Sequence, residues 1–347
     1  MTHRRTWLKS ALLAPFLPHL PGSFPAPFAP PALLKPPRLR PGDTIGLCCP
    51  AAPAYNRETV QVAIESLQAL GFKTKLSTHF YDRYGYLAGS DAHRAADLNA
   101  HFADPAVHAV LAMHGGWGCA RLLPLIDYDQ IRRTPKILLG YSDITALLLA
   151  INAKTGLVTM HGPEGAATWN TFTVDWFRRV LLLGEAVTLR NPIAPGDNLT
   201  QKTDRITTLR PGTARGLLLG GNLTVLSHLV GTPYLPDWRG SILFLEDVHE
   251  SVYRVDRMLM HLKLAGILEQ VAGVVFGKCT QCEPDSGGYG SLTLDEVLRE
   301  YILPLNVPAF SGAMIGHIAD KFTVPVGLMA EMDATTGTIR LLEPAVG

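Results

Sequence analysis

A chain of 347 residues with 47% apolar and only 18% charged residues has the material for a large buried core, which excludes a disordered chain. Its formal net charge is +1 and no long Lys/Arg run occurs beyond the extreme N-terminus, which argues against a nucleic-acid surface. No uninterrupted apolar stretch reaches the roughly 20 residues needed to span a bilayer, so no stable membrane span is expected.

The N-terminus reads "MTHRRTWLKSALLAPFLPHLPGSF", with Arg4 and Arg5 followed by Trp7-Leu8-Lys9 and a short apolar stretch. That order matches a twin-arginine-like export signal, so an exported and periplasmic protein is expected. The Pro-rich "PAPFAPPALLKPP" behind it offers no clean A-x-A cleavage site. Residues 1–41 are therefore read as export signal and Pro-rich linker. The five cysteines, Cys48, Cys49, Cys119, Cys279 and Cys282, include one C-x-x-C and no second pair, which is no zinc framework. Buried free thiols are the default expectation; a Cys279–Cys282 disulfide is the alternative in an exported chain.

From residue 42 short β-rich runs alternate with helical patterns. "DTIGLCC" reads as a strand, "RETVQVAIESLQALGF" as a helix ending at Gly71, and "VHAVLAMHGG" as a strand. "CARLLPLI" is a short helix, "KILLGY" a strand, and "DITALLLAINAKTG" a helix stopped by Gly156. Such alternation predicts a parallel sheet covered by helices in a domain over 42–183. Residues 184–213, polar and rich in Pro, Gly and Thr, read as a linker. A second α/β domain over 214–347 carries strands at "SILFLED" and "VAGVVFGK", and a helix at "VDRMLMHLKLAGIL". In that helix Val255, Leu259 and Leu262 form a core stripe.

The corner "KILLGYSD" delivers a strand to Gly140 and starts a helix just after Asp143, a strand–turn–helix geometry like the nucleophile elbow of hydrolases without its G-x-S-x-G spelling. Ligands of parallel sheets bind outside the carboxyl ends of the strands. Ser142 is then a candidate nucleophile, and the backbone N–H of Asp143 a candidate half of an oxyanion hole. From this stretch alone, a serine that merely caps the helix is the commoner case. "MHGGWG" lies at the end of the preceding strand, where Gly115 and Gly116 let the backbone approach a ligand. Neither a full G-x-G-x-x-G nor a phosphate-binding G-x-x-x-x-G-K-[ST] is spelled, so no nucleotide cofactor is implied. Twelve histidines make spacing indecisive for a base. His317, in "SGAMIGHIADKF", is better placed than the helical His261. Glu246, at the carboxyl end of "SILFLE", is costly to bury unless paired, either with a histidine or with Arg254 or Arg257.

"HGGWGCARLLPLID", "GYSD", "HGP" at 161–163, "GGNLTVLSHLVGTPYLPDWRGSILFLEDVHE", "YRVDRMLMHLKLAG" and "GHIADKFTVPVG" together resemble the LD-carboxypeptidase family of serine peptidases, which includes the microcin-immunity hydrolases. The resemblance runs from about residue 40 to the C-terminus. It implies an N-terminal Rossmann-like parallel-sheet domain and a smaller C-terminal α/β domain. It also implies a Ser142–His317–Glu246 triad, with Gly116 and Asp143 N–H groups in the oxyanion hole. Gly115, His114 and Trp117 are the implied substrate-binding residues. His114 stands where the family often has arginine. No metal or cofactor is implied. The expected partners are a peptidoglycan-derived peptide, which loses its terminal D-alanine, and a second copy in a homodimer. Two alternatives stay open: an immunity-type amide hydrolase of peptidyl nucleotides, with Trp169 as a possible base-stacking ring, and a periplasmic muropeptide-binding protein without turnover.

Overall fold

The computed structural model describes residues 31–284 and 290–347. The export-signal reading of residues 1–24 lies outside them. In chain order the first half comprises β1 (Thr44–Cys48), α1 (Arg57–Ala69), β2 (Lys73–Leu76), α2 (Asp91–Ala103), β3 (Ala109–Ala112), α3 (Tyr128–Arg133), β4 (Ile137–Gly140), α4 (Thr145–Thr155), β5 (Thr159–His161) and α5 (Thr171–Leu181). There follow β6 (Thr188–Arg190), β7 (Thr207–Arg210), β8 (Thr213–Asn222), α6 (Leu223–His228), β9 (Ile242–Val248), α7 (Val252–Leu264) and β10 (Gly273–Thr280). The chain ends with α8 (Leu294–Ile302), β11 (Ala309–Ser311), β12 (Val324–Val326), β13 (Leu328–Asp333) and β14 (Thr338–Leu341).

Two mixed sheets organise these elements. The first runs β12-β5-β4-β3-β1-β2, with β1 to β5 mutually parallel and β12 antiparallel on β5. Strands β3 and β4 are buried along their whole length, the pattern of a sheet covered on both faces. The order 2-1-3-4-5 reverses direction between β1 and β3, which opens a crevice at their carboxyl ends. The second sheet runs β6-β14-β13-β8-β9-β10-β11-β7, with β8 to β11 parallel and antiparallel strands at both edges.

The expected alternation is present: the strands and helices read from residues 44 to 156 and from 242 to 280 are found there, and Val255, Leu259 and Leu262 are buried on α7. Two connections read as linkers are built into the body. Within 184–213, β6 and β7 are edge strands of the second sheet, too short to show periodicity. In the Pro-rich segment, Leu39 is buried and its N–H donates to Leu181 O at 2.9 Å, while Leu34 bridges to Leu157. The default expectation for the cysteines is corrected at one pair. Cys48, Cys49 and Cys119 are free and buried, whereas Cys279 and Cys282 form a disulfide. The intervening turn, with Gln281 at φ 56°, brings their Cα atoms to 5.4 Å, within disulfide reach.

Candidate active site

Ser142 follows β4 at φ 59°, a left-handed conformation that costs a non-glycine residue about 1–2 kcal/mol. It is not a helix cap: neither its short 3-10 turn nor α4 has a side-chain cap. Asp143 points away from the helix as well, its buried carboxylate accepting from Cys119 N at 2.8 Å. Burial raises the carboxyl pKa of Asp143. This bond ties the corner to the end of the HGGWG loop. Gly115 closes on the serine so tightly that a Cβ there would lie 2.8 Å from Ser142 Cβ and 3.0 Å from Oγ. No side chain but hydrogen fits.

The second sheet supplies the other two groups. Glu246 lies near the end of β9 with 0% exposure, and its Oε2 is 2.8 Å from His317 Nδ1. Neither arginine considered for it is its partner: Arg254 approaches Glu250 at 3.8 Å and Arg257 sits over the Tyr253 ring. His261 is on the exposed side of α7. The turn before His317 is fitted to the carboxylate, since a Cβ on Gly316 (φ 127°) would come 2.9 Å from Glu246 Oε2. Tyr141 joins the two halves. It directly precedes Ser142, and its ring meets the His317 ring edge-on at 4.9 Å between centroids. A further tie runs from Asn222 N, at the end of β8, to Thr145 Oγ1 at the start of α4, at 3.0 Å.

Beneath the corner lies a polar group that spacing did not single out. Glu164 is buried, and burial raises its pKa to about 8. Hydrogen bonds from the backbone of Tyr141 and Gly115, and the charge of Lys321, oppose that rise. Lys321 is itself buried, with Nζ 4.6 Å from the Tyr141 ring centre; burial lowers its pKa against the pull of Glu164 and Glu246. Gly116 in the HGGWG loop and Asp143 beside Ser142 remain the candidate oxyanion-hole donors. His161, from the "HGP" tripeptide, is buried against Phe244 and pushed down to about 4 by that burial. The remaining sequence candidates flank the opening. His114 is half-buried with Nδ1 3.1 Å from Gly115 O, and Trp117 is 67% exposed, edge-on to Tyr86 at 6.3 Å. Trp169 is occupied elsewhere, packed on Phe177 and bonded through Nε1 to Gly165 O at 3.2 Å.

Comparison with known proteins places the chain in a family. Residues 45–162 match the family model of the LD-carboxypeptidase N-terminal domain, and residues 215–332 that of the LD-carboxypeptidase C-terminal domain. The chain belongs to the LD-carboxypeptidase family. Among curated members of the family, the probable murein peptide carboxypeptidase of Bacillus subtilis is 38% identical over 309 residues, 88% of this chain and 93% of that one. A solved muramoyltetrapeptide carboxypeptidase from Oxalobacter formigenes superposes with TM-score 0.73 at 29% identity, covering 86% of this chain and 97% of its own. MccF in complex with glutamyl sulfamoyl guanosine superposes with TM-score 0.82 at 27% identity, covering 90% and 100%. The chain is thus an α/β peptidase whose two sheets meet at the corner carrying Ser142.

Proposed function

We propose that the protein removes the terminal D-alanine from peptidoglycan tetrapeptides through Ser142, His317 and Glu246. The observation that carries this reading is the 2.8 Å pairing of His317 with a fully buried Glu246 beside a corner whose serine is held in a left-handed conformation and caps nothing. Glu246 accepts from His317 Nδ1–H and so keeps the lone pair on Nε2, the form a general base needs. Ser142 Oγ attacks the carbonyl that precedes the D-alanine while His317 takes the hydroxyl proton. Charge forms on the carbonyl oxygen, where the N–H groups of Gly116 and Asp143 stabilise it; one such donor typically contributes about 3–4 kcal/mol. His317 then protonates the leaving amine, and water hydrolyses the acyl-enzyme along the same route. His114 and Trp117 at the opening contact the rest of the peptide.

The substrate reading draws on the relatives named for murein peptides. The test is mass spectrometry of L-Ala-γ-D-Glu-meso-diaminopimelate-D-Ala incubated with wild type and with Ser142→Ala. Loss of one alanine with wild type alone is expected; turnover by Ser142→Ala would remove the serine from the mechanism. The MccF likeness supports a second reading, hydrolysis of an aminoacyl sulfamoyl nucleotide. Trp169 lends that reading no support, because its ring is committed to packing. Turnover of glutamyl sulfamoyl adenosine with an intact tetrapeptide would favour it. Export through the N-terminal arginine pair belongs to the same proposal, and the Cys279–Cys282 disulfide supports an oxidising compartment. Fractionation with and without Arg4→Lys/Arg5→Lys checks it. A homodimer is proposed on family grounds, to be read from light scattering.

A further inference from the structure

The tract between β2 and α2, residues 77–90, brings His79 and Asp82 against His93 on the first turn of α2, with one potential ligand atom from each within 4.8 Å of the others. His93 Nδ1 is 2.7 Å from Asp82 Oδ2, and the two imidazoles stack at 4.0 Å between centroids. Behind His79 stands Asp97, 5% exposed, whose Oδ1 is 2.8 Å from His79 Nδ1 and whose two oxygens also accept the His79 backbone N–H. A buried carboxylate held on one ring nitrogen fixes the tautomer and leaves a lone pair on the other. Histidine ligands of metals are oriented in this way. Nothing in the peptidase chemistry uses these groups.

We propose that His79, Asp82 and His93 form a divalent-metal site of the zinc class, clamping residues 77–90 onto the start of α2. Two imidazoles and a carboxylate are a donor set suited to Zn²⁺, and the partial exposure of His93 and Asp82 gives water access to a fourth position. The clamp bears on the active site through two contacts. The clamped tract carries Tyr86, whose ring meets Trp117, and α2 carries Arg94, whose guanidinium holds Gly118 O at 3.1 Å. Both Trp117 and Gly118 belong to the HGGWG loop. Bound metal therefore stiffens the outer wall of the opening and leaves the triad untouched.

The test is calorimetric titration of untagged, chelator-treated full chain with Zn²⁺, paired with thermal melts in Zn²⁺ and in chelator. One equivalent bound and a raised Tm are expected. His93→Ala and Asp82→Ala should each weaken binding by more than about tenfold, and Asp97→Asn by roughly 10- to 100-fold. In chelator the His93 and Asp82 variants should melt with wild type, since both side chains are partly exposed and neither lies in the core. Absence of Zn²⁺ binding by wild type would overturn the proposal. So would wild-type affinity in both the His93 and Asp82 variants, which would put the metal elsewhere.

Discussion

Gly316 and Glu246 are fitted to each other: the glycine bears no side chain where a Cβ would sit 2.9 Å from Oε2, the oxygen that His317 contacts. Gly316→Ala must therefore push the carboxylate off His317 or shift the turn that carries that histidine. It also places alanine at φ 127°, a conformation that favours glycine. The expected result is a fall in kcat of about 10²-fold or more, the range of general-base catalysis, with KM little changed. Steady-state kinetics beside a thermal melt separate this from simple unfolding.

The left-handed Ser142 yields a prediction of opposite sign for stability. Glycine adopts φ 59° without strain, so Ser142→Gly should be more stable than Ser142→Ala by about 1 kcal/mol, while both lose activity. Denaturant midpoints of the two variants measure the difference. An alanine variant at least as stable as the glycine variant would show that the corner holds no such strain.

Buried Glu164 predicts a pH dependence of stability. Its carboxyl is raised from 4.5 to about 8 by burial, so between those values the unfolded chain has released a proton that the folded chain retains. The contribution is fully present below pH 4.5 and declines as pH rises towards about 8. Glu164→Gln should therefore gain on wild type as pH is raised from about 5 to about 9. His161, lowered to about 4 from 6.5, acts in the other direction, losing its contribution as pH falls across that interval. Urea midpoints of wild type, Glu164→Gln and His161→Phe across the range check both signs.

The tie between the halves can be cut singly. Thr145 Oγ1 accepts the Asn222 N–H at 3.0 Å, with Thr145 at 0% exposure and Asn222 buried. Thr145→Val keeps the volume and leaves a buried donor unpaired, at an expected cost of about 1–3 kcal/mol. A melt shifted by no more than an exposed control such as Thr188→Val on β6 would mean that the bond contributes nothing.

Much of the scaffold was legible because strands β1, β3 and β4 are nearly pure apolar runs followed within three residues by Pro50, Gly115 and Ser142, and α1, α4 and α7 have lengths and stops a helix requires. The corner at Ser142 was legible for the same reason. What joins it to a base was not, because Glu246 and His317 lie 71 residues apart and only the family resemblance paired them. Glu164 and Lys321 were missed: each stands in a short irregular stretch that reads as a solvated loop, and only three-dimensional burial turns it into part of the site. The edge strands β6 and β7 were read as linker because three or four residues cannot display alternation. The Cys279–Cys282 bond depends on a turn conformation that a C-x-x-C spelling does not specify.

Strand β12 carries a consequence for how this chain can be divided. Val324–Val326 leaves the second half to pair with Thr159–His161 as the edge of the first sheet, only seven residues after His317. A fragment ending near residue 183 would expose β5 as a bare strand edge, inviting aggregation. A fragment beginning near 214 would carry an orphan strand with no sheet to join. The polypeptide is thus laced rather than jointed: His317 sits on a segment anchored in both sheets, and neither half is a module that cutting or shuffling could release intact.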